Sequence, residues 1–187
     1  MPLFRSRRER NYWLAAALLV VGTWSTLYWA RFVATWLRDR GLITFTMWLI
    51  FAVAAAGVVT LVVRGRPRRL ELLVLVPFAA IYAGVVLLLR ARPEEALHFV
   101  QYGLVGGLIF FALGERRRHL SPGSWLGRPG VAALLAILVT VAAGWADEGI
   151  QYLLPNRYYD LRDVAFNAMA GALAVAGTAA WRWARSD

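Results

Sequence analysis

An all-α polytopic membrane bundle of about six transmembrane helices, with both termini cytoplasmic, is the fold class this sequence predicts. Three observations predict it. The chain has 187 residues, of which 60% are apolar, and a mean hydropathy of +0.54, more apolar than an ordinary soluble domain. Its apolar residues fall into six stretches, each near the roughly 20 residues a helix needs to cross a hydrocarbon core. Its 21 basic residues are all Arg and sit in short clusters between those stretches. That clustering assigns the net charge of +10 to membrane topology and anionic headgroup contact rather than to nucleic acid. The absence of cysteine excludes a disulfide framework and thiolate chemistry.

The predicted spans are 12–31, 42–63, 70–90, 95–114, 130–151 and 162–181. The first follows a basic head, RSRRER, like a signal peptide's n-region. Its apolar run is too long for one and shows no convincing cleavage signal, so it is expected to be a retained span. After it comes RFVATWLRDRG, where Phe32, Val33, Trp36 and Leu37 fall on roughly one helical face. This segment reads either as an interfacial helical turn or as an extension of span one. RGRPRR joins spans two and three, and ERRRHLSPGSWLGRP joins spans four and five, its Pro and Gly marking irregular structure. With the N-terminus inside, the inner segments hold 14 of the Arg residues and the outer segments 7. The bias favours cytoplasmic termini, although Arg31, Arg38 and Arg40 on the first outer loop oppose it.

On this topology, polar residues from three spans meet at the outer surface. Span five ends with Asp147, Glu148 and Gln151, and the last two, three residues apart, share a helix face. Pro155 ends that helix, Asn156 continues the loop, and Asp160 is placed to cap span six. Asp163, Asn167 and Gly171 then form a stripe at a spacing of four. Span four opens with Pro93, Glu94 and Glu95, suited to a helix N-terminus. His98 and Tyr102 follow one turn apart, with Gln101 beside them. Ionisable groups at that depth are costly and should face the bundle interior and one another.

Single residues have plainer readings. Asp160 reads as a cap, Glu94 and Glu95 as dipole partners, Arg162 as a headgroup contact and Asn167 as interhelical glue. Gly103 with Gly107, and Ala168 with Ala172 and Ala176, read as close-packing pairs. The combination is the sharper signal. His98, Glu148 and Asp163 are the candidate catalytic residues, as acids or bases. Tyr102, Gln151, Arg157 and Asn167 are the candidate ligand-binding residues, Arg157 because its planar fork suits phosphate or carboxylate. No dense His or carboxylate motif demands a metal, no cofactor is identifiable, and there is no G-x-S-x-G elbow or phosphate-cradling glycine loop.

Two stretches, LHFVQYGLVG and DEGIQYLLPNRYYDLRDVAFNAMAGALAVAG, resemble the VanZ-like family of small bacterial integral membrane proteins. His98, Phe99 and Tyr102 supply its H-F-x-x-Y pattern. Asp147, Glu148, Gln151, Pro155, Arg157, Asp160, Asp163, Asn167 and Gly171 supply a longer, ordered second motif. Where many relatives carry an Asp-Lys pair ahead of the His, this chain has Pro93-Glu94-Glu95, so no Lys role carries over. The resemblance covers roughly 70–184. It implies a four-helix core at 70–187 and an N-terminal addition of two spans at 1–69. It also implies a multi-pass protein of the bacterial inner membrane, with a family link to resistance to the glycopeptide teicoplanin.

Three functions stay open. The first is an envelope enzyme or binding protein acting on a lipid-linked or cell-envelope group, with membrane lipids as neighbours. The second is an accessory subunit of a larger assembly, docking partner membrane proteins through residues 1–69. The third, a transporter or channel, is the least supported, since the charged groups gather at one surface and not at the midplane.

Overall fold

The computed structural model describes residues 3–88, 93–121, 123–128, 130–155 and 158–186. It contains six long helices, α1 (Arg7–Asp39), α2 (Ile43–Arg64), α3 (Arg69–Leu88), α4 (Pro93–Arg118), α5 (Val131–Leu153) and α6 (Leu161–Ser186). One turn of 3-10 helix, Trp125–Gly127, lies between α4 and α5. There is no strand among the described residues. All six helices are long and apolar enough to cross a membrane, so this is a multi-pass membrane protein.

The helix ends follow local chemistry. Ser6 caps α1, its hydroxyl accepting from the Glu9 N–H at 3.0 Å. Residues 32–39 extend α1 rather than forming a separate interfacial turn. At 1.5 Å per residue its 33 residues span about 50 Å, well beyond a ~30 Å hydrocarbon core. Leu154, ahead of Pro155, is extended (φ −89°, ψ 132°) and stops α5. Hydroxyls within the spans bond back to carbonyls of their own helices, as Thr60 does to Ala56 and Thr178 to Ala174, both at 2.7 Å. The hydroxyl donors of these two threonines are thus satisfied within the helix rather than facing lipid.

Helix α4 is the centre of the bundle and packs against α1, α5 and α6, while α3 lies on α6. Helix α2 touches its neighbours sparsely, and none of its apolar window is buried. The core has two parts. One joins Val105, Ile109, Leu113, Ala136 and Val175 with Ala16 of α1. The other joins Phe99, Tyr102, Phe166 and Ala170, flanked by Tyr82 of α3.

Close approach of α4, α5 and α6 depends on three glycines. A Cβ on Gly171 would stand 2.7 Å from Thr140 Cγ2, one on Gly106 3.1 Å from the Gly171 Cα, and one on Gly144 2.9 Å from the Asn167 Cβ. Of the expected Gly103/Gly107 pair only the first is tightly packed, and against α3 rather than α5 or α6. Gly103 is pinned under the Tyr82 hydroxyl, but Gly107 has room, its nearest neighbour being Thr178 Oγ1 at 3.9 Å. The buried stripe of α6 runs through Asn167, Ala170, Gly171 and Val175, whereas Ala176 is exposed.

The two ends of the bundle carry different polar contacts. At the α4 C-terminal end, Arg116 Nε pairs with the fully buried Glu9 of α1 at 2.7 Å. Nearby, Arg182 of α6 lies over the Phe110 ring. The first and last helices therefore begin and end here, and both termini share this end. At the same end Glu71 of α3 accepts from Trp181 Nε1 at 2.8 Å and lies 3.9 Å from Arg185. The opposite end holds the polar site.

Candidate functional site

Residues 144, 147, 148 and 151 of α5 are all buried. A spacing of three and four puts them on one face, turned toward α4 and α6. Asp147 and Glu148 have no solvent exposure. Glu148 accepts from Gln151 Nε2 at 2.9 Å and from the backbone N–H of Asp160 at 3.1 Å. The same Gln151 nitrogen lies 3.4 Å from Asp147 Oδ2, and that oxygen lies 3.5 Å from His98 Nδ1. A continuous chain of polar contacts thus runs from the imidazole of α4 through Asp147, Gln151 and Glu148 to the start of α6. The Gln151 amide holds the two carboxylates side by side, 3.4 Å from Asp147 and 2.9 Å from Glu148, and the imidazole faces Asp147.

Above this chain opens a cleft of about 330 Å³. One wall is the end of α1, with Arg31, Thr35 and Arg38. The other is built from Glu95 and His98 of α4, Gln151 of α5, and Asp160 and Asp163 at the start of α6. Tyr158 lies between the walls, and the Arg31 guanidinium sits 5.9 Å from its ring centroid. Asp160 Oδ1 accepts from the Arg162 N–H at 2.8 Å, the capping contact its position suggests. Arg162 leans over the Phe166 ring and lies 3.6 Å from Glu95. It ties α6 to α4 rather than pointing only toward headgroups.

The residues singled out in the sequence sit at different depths. His98, Gln151 and Asp163 line the cleft, and Glu148 lies directly behind Gln151. Tyr102 is deeper and fully buried, its hydroxyl donating to the Ala143 carbonyl at 3.3 Å beneath the His98 ring. Asn167 is buried against Gly144, and its Nδ2 has no hydrogen-bond partner among the described residues. Arg157 and Asn156 lie outside the described residues. Gln101 turns away from the site and donates to the Leu19 carbonyl and the Thr23 hydroxyl of α1.

Sequence reasoning missed the α1 wall. A signal was present, since Arg31, Thr35 and Arg38 follow at spacings of four and three, one helical face continuing past the apolar run. Among the described residues no group of three or more His, Cys, Asp or Glu is arranged to hold a metal ion.

No curated protein and no solved structure matches this chain. The VanZ/LLP1 family model does match, over residues 41–182. That stretch takes in helices α2 to α6, including three of the four helices that form the cleft, and the chain belongs to the VanZ/LLP1 family.

Proposed function

We propose that the cleft faces the outside of a bacterial inner membrane and binds, or acts on, the polar head of a lipid-linked or cell-envelope group. The observation that carries this reading is the convergence of charged and polar side chains from four helices on one cleft above an imidazole–carboxylate–amide chain whose carboxylates are buried. Buried carboxylates are expensive at membrane depth and mark functional sites by default. The excess of Arg on the segments at the opposite end supports placing that end in the cytoplasm. In this reading His98, Glu148 and Asp163 hold or move protons, Gln151 and Arg157 engage the ligand, and Tyr102 and Asn167 support the floor.

The test is native mass spectrometry of the protein extracted in mild detergent, beside Glu148→Gln and His98→Ala. The reading expects a bound lipid or envelope precursor on the wild type and its loss from both variants. Equal retention by all three would sink it.

One observation favours a second reading, an accessory subunit of a larger assembly. Helix α2 lies almost bare of intramolecular packing and offers a docking face within residues 1–69. A fixed complement of other membrane proteins in the same extract would select it. Loss of that complement on replacing exposed Phe45 and Trp48 of α2 would locate the contact.

A further inference from the structure

We propose that the head group the cleft takes is zwitterionic, a phosphate ester carrying a primary ammonium. This rests on the reading of the cleft as a head-group site and adds the chemistry of the head.

The two walls carry opposite charge. The α1 wall contributes the guanidinium groups of Arg31 and Arg38 and no acid, while the α4 and α6 wall contributes the carboxylates of Glu95, Asp160 and Asp163. Behind that second wall stand two more carboxylates, Asp147 and Glu148. Even with Glu95 beside Arg162, an anion alone would meet the carboxylates of Asp160 and Asp163 opposite the guanidiniums. A cation alone would gain nothing from the α1 wall. A ligand with a phosphate at one end and an ammonium at the other satisfies both. The planar guanidinium fork suits phosphate oxygens, and carboxylates accept charge-assisted hydrogen bonds from an ammonium.

A primary ammonium fits better than a quaternary one. Quaternary groups have no N–H to donate and are held by aromatic cages. Among the described residues the one Phe, Tyr or Trp lining this cleft is Tyr158, and its ring already lies beside Arg31. A volume of about 330 Å³ is at the small end of ligand pockets, right for a compact head rather than a glycan or peptide.

The test is binding of short-chain phosphatidylethanolamine, phosphatidylcholine and phosphatidylglycerol to the full-length chain in detergent, measured by calorimetry. Wild type should prefer the ethanolamine lipid to both others by about tenfold, the size of one lost charge-assisted contact. In the Glu95→Gln/Asp163→Asn variant the preference should turn toward phosphatidylglycerol. Arg31→Gln/Arg38→Gln should weaken binding of all three phospholipids, since each carries the phosphate. Free phosphoethanolamine is a fourth ligand. Competition at similar concentration identifies a water-soluble zwitterion as the source, and failure to compete identifies a lipid, the charge pattern being supported in either case. The wild-type comparison needs no variant, so a misfolded mutant leaves it intact. Phosphatidylglycerol binding as tightly as the ethanolamine lipid, and lost in the Arg variant, would overturn the zwitterion and keep the head-group site. No binding of any of the four would overturn both.

Discussion

The two ends of this bundle solve the same electrostatic problem differently. At the end holding both termini, each buried carboxylate has a dedicated closed contact. Glu9 meets Arg116 at 2.7 Å and accepts from the Arg5 N–H at 2.7 Å, and Glu71 takes the Trp181 indole N–H at 2.8 Å. At the cleft end, Glu148 is bonded to an amide and a backbone N–H, and Asp147 shares the Gln151 amide with it while facing His98. The first arrangement joins α1 to α4 and α3 to α6. The second keeps carboxylates close together under an opening lined by more charge. Ion pairs that close on themselves hold helices together, whereas acids gathered beneath a cleft are arranged for something that enters it.

The contrast is broken most severely at the termini end. Glu9→Ala leaves the Arg116 guanidinium, 35% exposed, without its buried partner. The expected loss is about 2–3 kcal/mol, at or below the low end for a fully buried pair, read as a lower melting temperature in detergent with head-group binding retained. Next comes packing. Gly171→Ala drives a Cβ to 2.7 Å from Thr140 Cγ2 and should cost about 1–3 kcal/mol. Gly107→Ala, with its nearest contact at 3.9 Å, should change stability by less than about 0.5 kcal/mol. Equal melting temperatures for the two glycine variants would contradict the three-helix contact described above. Removing the cap, Asp160→Ala, should cost about 1 kcal/mol and also weaken ligand binding, because the Asp160 carboxylate lines the cleft. Smallest is Arg162→Gln. Its pair with Glu95, at 3.6 Å with Arg162 half exposed, should be worth less than about 1 kcal/mol in thermal unfolding.

Much of the fold was legible because lipid simplifies the rules. Six runs of about 20 apolar residues have few alternatives to six helices, and each predicted span coincides with one observed helix, three lying inside it and three (42–63, 70–90 and 130–151) running one or two residues past its described bounds. What fell short were the ends. The wheel pattern of residues 32–37 suited a separate turn as well as a continuation of α1, and it was the continuation that put Thr35 and Arg38 on the cleft wall with Arg31. The site was legible where a face of α5 or α6 is polar at helical spacing, as with Glu148 and Gln151 or Asp163. It was not legible where the contact is between helices distant in sequence. Glu9 reads as one letter of a basic head, and only the fold places it against Arg116, 107 residues later. Gly106 and Gly107 look alike in sequence, yet rotation by one residue, about 100°, separates a 3.1 Å approach to the α6 backbone from an ordinary 3.9 Å contact with Thr178.

The central claim is that the cleft end serves a ligand and the termini end serves stability. Its most direct test is thermal unfolding and head-group binding measured side by side for Glu148→Gln and Glu9→Gln in the same detergent. The account predicts that Glu148→Gln stays within about 1 kcal/mol of wild type, the scale of one net hydrogen bond, and loses binding. It predicts that Glu9→Gln is clearly destabilised and still binds. Destabilisation of Glu148→Gln equal to that of Glu9→Gln, with binding unchanged, would make both ends structural and contradict the claim.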